Sequence, residues 1–345
     1  MAVYTVLDKA EMSEIIEDYG LVKLLSSTGI ASGSVNSNYL LETPRGKHLL
    51  RIDEVKGELE VKRELDLLLF LRKHGFPCPQ PVADRKSRYY REAGGKCLSV
   101  YRYYDGRVVR PERLTGAQLE SIGRVLADLH GIGKSYKKGI DNRFSFERVA
   151  DVYGEVRRHL PSYFKRIVRT LDDEAEYLQN YLESKLPKGI IHGDLFTDNL
   201  IMKGEKVVAV LDFEAACRGK FIFDLATAVN ALCFDGEHYQ LKRFEALISG
   251  YEALRALSLA EWDAFPNELR FSAFRFTVTR LRDFFLNPVD DQARVNKDFR
   301  EFYERLRILR RERDGGMEGL LMAMATGYDY RKYQKVKALE KKGLK

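Results

Sequence analysis

The 345-residue chain has no apolar run near the ~20 residues that a membrane-spanning helix needs. Its four cysteines, Cys78, Cys97, Cys217 and Cys233, lie far apart and form no C-x-x-C pair. That argues against a zinc framework or a disulfide scaffold and suits a reducing cytoplasm. The opening MAVYTVLDKAEMSEI carries acids early and lacks the basic-then-apolar order of a secretory signal, so none is expected. There is no internal repeat and no low-complexity linker. Charge is nearly balanced outside one place: the net +7 resides mostly in RKYQKVKALEKKGLK (331–345), with seven basic residues and one acid, which leaves +1 for the rest. A basic tail of this kind reads as a solvated chain end, with nucleic-acid binding as the competing reading. What is present is a hydrophobic fraction of 45%, ordinary for a chain with a real core. The length suits two domains or one two-lobed body.

The first hundred residues read as β-rich with one long helix. VNSNYLLETPRGKHLLRID places two strand-like runs around Pro44-Arg45-Gly46, which predicts a β-hairpin. ELEVKRELDLLLFLRKHG has helical periodicity, with Leu59, Leu65, Leu68, Leu69 and Leu71 as its apolar positions and Gly75 as its stop. FPCPQPV spaces three prolines on alternate positions and predicts an extended connection. KCLSVYRYYDG predicts a strand that ends at Asp105-Gly106. From Thr115 the character turns helical: TGAQLESIGRVLADLHGI has apolar spacing through Ile122, Val125, Leu126 and Leu129. Helical patterns run to about Lys185 and again from Leu225 onward, and between them KGIIHGD and KVVAVLDFEA read as short strands. The expected division is a β-rich lobe over 1–104, a helical lobe over 105–330 and the basic tail over 331–345.

Between those strands lies the chemistry. His192-Gly193-Asp194-Leu195 followed by Asn199 has the spacing of a kinase catalytic loop, H-x-D-L-x-x-x-N. Thirteen residues after Asn199, an apolar strand ends in Asp212-Phe213-Glu214, the Asp-Phe of a D-F-G metal site with Glu in place of Gly. In-line phosphoryl transfer needs a group that accepts the hydroxyl proton and orients the attacking oxygen, and Asp194 fits that role. It also needs Mg²⁺, for which the Asn199 carbonyl and the Asp212 carboxylate are hard oxygen ligands. Taken singly, His192 could be a core histidine, Asp198-Asn199 a turn and Asp212 a cap. Their order, strand, acidic loop, strand, acid, points to a phosphotransferase. Gly193 stands where protein kinases carry Arg, and only eleven residues separate Asp212 from Asp224. That is too little chain for an activation segment and a peptide platform, so the acceptor is expected to be a small molecule.

The first lobe is expected to hold ATP. TGIASGSVNSNYLLE places Ser34, Asn36 and Ser37 around Gly29 and Gly33 before a strand, where N–H and hydroxyl groups could meet phosphates. It is not G-x-G-x-x-G, and an ordinary hairpin loop reads the same way. Arg51 in HLLRID is the expected cation where kinases carry Lys, with Glu64 as its partner and Glu60 as the rival. Tyr101 and Tyr103, on the strand KCLSVYRYYDG, complete the nucleotide-binding set. His192 is assigned a structural role. So is Asp224, an acid in the apolar helix start FDLATAVNAL, expected to accept N–H groups near His192 and Gly193 or simply to cap the helix.

These segments resemble the aminoglycoside phosphotransferase and choline kinase superfamily, and within it the bacterial type II homoserine kinases. The likeness rests on MAVYT, GIASGSVNSNYLLET, GFPCPQPV, IIHGDLFTDN, DFEAAC, FDLATAVNALCF and LRFSAFRFTVTRLRDFF, and covers nearly the whole chain. It implies an α+β, bilobal protein-kinase-like fold and transfer of the ATP γ-phosphate to the hydroxyl of L-homoserine. Gly193, Glu214-Ala215 after Asp-Phe, and the charge-rich VKGELEVKRELD depart from the pattern of those kinases. Choline, another amino alcohol or an aminoglycoside are the alternative acceptors, and a non-catalytic nucleotide-binding scaffold is the alternative of another class. For an amino-acid acceptor, Arg275 or Arg280 on the apolar helix ELRFSAFRFTVTRLRDFF is expected to clamp the carboxylate. Asn230 is expected to assist, and Glu214 to meet the ammonium. Pairing of these arginines with internal acids such as Asp283 is the competing reading.

Overall fold

The computed structural model describes residues 5–30, 36–182, 185–236, 238–287 and 297–311. Gly33, Ser34 and the tail 331–345 lie outside the described residues. The chain divides into two compact units, one of residues 5–106 with Ala209–Glu214 and one of Arg107–Val208 with 215–287 and 297–311. Among the described residues no helix is long and apolar enough to cross a membrane.

In the first unit, α1 (Lys9–Asp18) starts at a capping box. The Asp8 carboxylate accepts the Ala10 and Glu11 N–H groups at 2.8 Å, and the Glu11 carboxylate accepts the Asp8 N–H at 2.8 Å. The strands are β1 (Ser26–Gly29), β2 (Ser37–Thr43) and β3 (Gly46–Asp53). The expected hairpin is present, with Thr43 paired to Gly46 around Pro44-Arg45. Helix α2 (Glu58–Lys73) buries Val61, Leu65, Leu67, Leu68 and Leu71. Leu59 is exposed and Leu69 half-buried. The expected stripe was misplaced there because the helix begins only at Glu58, which leaves Leu59 in its open first turn, whereas Val61, Leu65 and Leu68 follow the i, i+4, i+7 spacing of one face. β4 (Arg91–Ala93) and β5 (Lys96–Arg102) complete an antiparallel sheet of order β1-β2-β3-β5-β4. β5 ends at Arg102, short of the expected Asp105-Gly106.

The pairing sets which side chains share a face. Leu50 opposes Val100 and Ile52 opposes Leu98, and all four join Met12, Ile15 and Ile16 of α1 in one core. Full burial of each such side chain stabilises the unit by about 1.5–3 kcal/mol. The pleat then turns Arg51, with Ser99 opposite it, to the other face, where Glu64 of α2 meets the guanidinium. The proline-rich FPCPQPV segment gives its Pro77 carbonyl to the Val210 N–H at 2.7 Å, and Phe76 packs edge-on against Phe213 at 6.2 Å.

In the second unit, α3 (Gly116–Gly133) begins at Thr115, whose hydroxyl accepts the Gln118 N–H at 3.2 Å while the Gln118 amide oxygen accepts the Thr115 N–H at 3.1 Å. α4 (Phe146–His159) and α5 (Lys165–Tyr181) follow, then the strands β6 (Lys188–Ile191), β7 (Leu200–Lys203), β8 (Lys206–Val210) and β9 (Cys217–Lys220). β6 pairs antiparallel with β9, Ile191 opposite Cys217, and β7 pairs with β8. The short CRGK strand was not expected; with two cations and a glycine it carries no strand pattern of its own. Helix α6 (Phe221–Leu232) is buried at every position, its polar Asp224, Thr227 and Asn230 included. α7 (Leu241–Glu252), α8 (Leu259–Arg280), a π-helical turn over Leu281–Leu286 and α9 (Arg300–Arg311) complete the unit.

Two contacts fix these helices. A Cβ on Gly123 would lie 2.0 Å from the Leu247 carbonyl oxygen, and one on Gly250 would lie 2.0 Å from the Glu120 carbonyl oxygen. α3 and α7 thus touch backbone to backbone, where only glycine fits. Between α5 and α8, the buried Arg270 donates from Nε to Glu174 at 2.8 Å and lies 3.7 Å over the Tyr177 ring.

Candidate active site

β6 and β9 bring the start of α6 beside the loop that follows Ile191. Asp224, fully buried, accepts the His192 N–H and the Gly193 N–H, each at 2.7 Å. Its Oδ2 also lies 3.0 Å from Nε2 of the buried His130. The ionised Asp224 carboxylate only accepts, so the ring proton of His130 sits on Nε2, and the Tyr251 hydroxyl, which accepts from Arg255 Nη1 at 2.9 Å, donates to Nδ1 at 2.7 Å. Burial alone would raise the Asp224 pKa. The His130 bond and the loop N–H groups outweigh it and hold the acid below the usual carboxylate range. Burial keeps His130 below its ordinary pKa, hence neutral.

The loop so held presents Asp194. The Asp194 N–H donates to His192 Nδ1 at 3.2 Å, and the Asn199 side-chain amide donates to the Asp194 carbonyl at 2.9 Å. Gly193 has φ +74°, and a Cβ there would lie 3.0 Å from the Ala215 carbonyl oxygen. Both facts favour glycine where protein kinases carry Arg.

Arg275 of α8 is the second charged group at this loop. Its Nη1 stands 3.6 Å from Asp194 Oδ1, longer than a hydrogen bond. The buried guanidinium is sandwiched between the rings of Phe144 and Phe276 at 3.8 and 3.7 Å. Its Nε and Nη1 have no hydrogen-bond partner among the described residues. Burial pushes its pKa down to about 10, Asp194 opposes that shift and Arg143 adds to it, so Arg275 still carries its charge at neutral pH.

Two expectations about the acceptor residues are corrected by their partners. The Asn230 amide donates to the Leu269 carbonyl at 2.9 Å and its oxygen accepts from the Tyr239 hydroxyl, so this fully buried side chain ties α6 to α8 and is closed off from solvent. Arg280 is committed to α9, donating to the Asp298 carbonyl at 2.7 Å and to Glu301 at 2.8 Å, with Phe302 beneath it. Glu214 is held within the first unit by Arg51, Lys56 and Asn36. Arg282 pairs with its neighbour Asp283.

In the first unit, Arg51 Nη1 is 3.0 Å from Glu64, the expected partner, and Nη2 is 3.0 Å from Asp53. Glu60 instead accepts the Gly57 N–H at the start of α2. Tyr101 is buried beside Arg51, its phenol pushed up by burial, whereas Tyr103 is exposed. The Ser37 hydroxyl donates to Glu54 and accepts the Thr5 N–H at 3.0 Å. Asn36 gives its amide to Glu214 at 2.8 Å. Asp212 has φ +59°, and its Oδ1 accepts the Glu214 N–H at 3.3 Å. A left-handed backbone at a non-glycine residue costs about 1–2 kcal/mol and clusters at functional sites. Sequence reasoning missed His130, Phe144 and Lys56. Lys56 alone left a signal, as a second cation in the same RIDEVK segment.

Residues 26–257 match the model of the phosphotransferase enzyme family, APH. A homoserine kinase of Methylobacterium radiotolerans is 34% identical over 317 residues, covering 91% of this chain and 98% of that protein. Among solved structures, the microcompartment-associated aminopropanol kinase is similar with a TM-score of 0.67 at 18% identity, covering 90% of this chain and 98% of that one. The amicoumacin kinase hAmiN, in complex with AMP-PNP, Ca²⁺ and Ami, gives 0.65 at 17%, covering 89% and 93%. At such identities structural likeness speaks for the fold, and it agrees with the expected α+β kinase-like fold. With two thirds of the chain matched by the family model and nine tenths by the homoserine kinase, the chain belongs to the phosphotransferase enzyme family.

Proposed function

We propose that the protein transfers the γ-phosphate of ATP to the side-chain hydroxyl of L-homoserine, in the cytoplasm, as a step of threonine biosynthesis. One observation carries the choice of acceptor: the buried, hydrogen-bond-poor guanidinium of Arg275 beside Asp194. A buried guanidinium with N–H groups that lack hydrogen-bond partners is costly, so this site favours an anionic ligand. A substrate carboxylate there satisfies Arg275 by paired N–H···O bonds and frees Asp194 from its ion pair. An amino acid with a γ-hydroxyl then offers its oxygen to Asp194 from the same molecule. Choline and the simple amino alcohols have no carboxylate to give.

Asp194 accepts the hydroxyl proton as the acceptor oxygen bonds to the γ-phosphorus and the bond to the bridging β–γ oxygen breaks, releasing ADP. Asp224 and His130 hold the loop that aims Asp194. Asn199 and Asp212 are the Mg²⁺ ligands in this reading. Both carry hard oxygens that would suit the metal, and the Asn199 amide nitrogen is spent on the Asp194 carbonyl, which leaves its oxygen as the donor. When bound, the metal neutralises charge on the transferring phosphoryl group. Arg51, held by Glu64, is the cation for the nucleotide's phosphates.

The reading is tested by following ADP release with a panel of homoserine, choline, ethanolamine and several aminoglycosides. Turnover with homoserine far above the others is expected. Preference for choline or an aminoglycoside would move the acceptor assignment, and ATP binding with no turnover on any acceptor would favour the scaffold reading.

A further inference from the structure

The first unit holds two half-buried cations on the same acids. Lys56 Nζ lies 2.8 Å from Glu214 Oε1, bonds to Glu64 Oε2 and stands 3.9 Å from Asp53. Arg51 contacts the same three acids. Glu64 divides its carboxylate between them, Oε1 to Arg51 and Oε2 to Lys56, so one acid of α2 orients both cations. Glu214 differs. A single oxygen, Oε1, receives Arg51, Lys56 and the Asn36 amide together. Three donors converging on one anionic oxygen is how a phosphate oxygen is bound.

We propose that Lys56 is a second cation for the nucleotide's phosphates, and that the Glu214 carboxylate keeps their place until nucleotide arrives. This rests on the phosphotransferase reading above. Glu64 is fixed on a helix and its side chain is 10% exposed, whereas Glu214 follows the left-handed Asp212 in a short turn and is 21% exposed. Glu214 is therefore the acid that can leave. A polyphosphate, with more charge and more oxygens than one carboxylate, displaces Glu214 from both cations.

The test is nucleotide affinity in the absence of acceptor, by calorimetric titration of the full chain with Mg²⁺-ATP, and with AMP as the nucleotide of fewer phosphates. Lys56→Met should weaken ATP binding about tenfold or more, the scale of one lost charge-assisted bond, and leave AMP nearly unchanged. Lys56→Arg should keep the parent affinity, which separates lost charge from a disturbed fold. Glu214→Gln should tighten ATP binding several-fold. Parent-like ATP affinity in Lys56→Met, or unchanged or weaker affinity in Glu214→Gln, overturns the proposal while the kinase reading stands. A parent protein that binds no ATP would overturn both.

Discussion

His130 Nε2 and Asp224 Oδ2 face each other at 3.0 Å with both side chains fully buried, and Asp224 in turn holds the two N–H groups that lead to Asp194. The folded His130 has a pKa below the 6.5 of the free side chain, because burial disfavours the imidazolium. Above pH 6.5 neither the folded nor the unfolded state protonates it. Below that pH the unfolded chain takes up the proton and the folded one resists, so stability is lost as pH falls toward the folded pKa. Asp224, also lowered from its ordinary 3.8, adds its own loss only below that pH. His48, lowered by burial too, acts in the same window as His130. The melting temperature should therefore drop between pH 7 and pH 5, and His130→Gln should flatten part of that slope. An equal slope in both proteins would remove His130 from the effect.

Asp194→Asn should cut turnover by about a hundredfold or more, the scale of a lost general base, with ATP affinity within a few-fold of the parent. Single-turnover measurement at saturating ATP and acceptor reads the chemical step directly. Turnover close to the parent's would exclude Asp194 as the base.

Gly250→Ala should destabilise the second unit, because its new Cβ would overlap the Glu120 carbonyl at 2.0 Å. Overpacking of this kind costs about 1–3 kcal/mol, and backbone against backbone should fall at the upper end. A denaturant midpoint equal to the parent's would show that α3 and α7 can separate at no cost.

The parts of the site that were readable in the sequence are those whose partners are near in the chain or fixed by one spacing. His192, Asp194 and Asn199 lie within eight residues, and Arg51 and Glu64 sit on a strand and the helix after it. The substrate side was harder. An arginine or asparagine on an apolar helix looks the same whether it waits for a ligand or holds another helix. Arg280 and Asn230 proved to hold helices, through Glu301 and Leu269, and Arg275 alone was left short of partners. Lys56 was overlooked because a kinase-like pattern leads one to look for a single cation. β9 left no pattern, since CRGK is a strand only through its pairing with β6.

The most direct test compares homoserine with 3-aminopropan-1-ol, the same molecule without its carboxylate, as acceptors for the parent and for Arg275→Gln. The account predicts that the parent prefers homoserine in kcat/KM by at least about a hundredfold, as a site built to bond a charged group rejects an analogue lacking it. In Arg275→Gln that preference should collapse toward unity while the KM for ATP stays near the parent's. A parent that uses both acceptors equally, or a variant that keeps the parent's preference, would contradict the assignment of Arg275 to the substrate carboxylate.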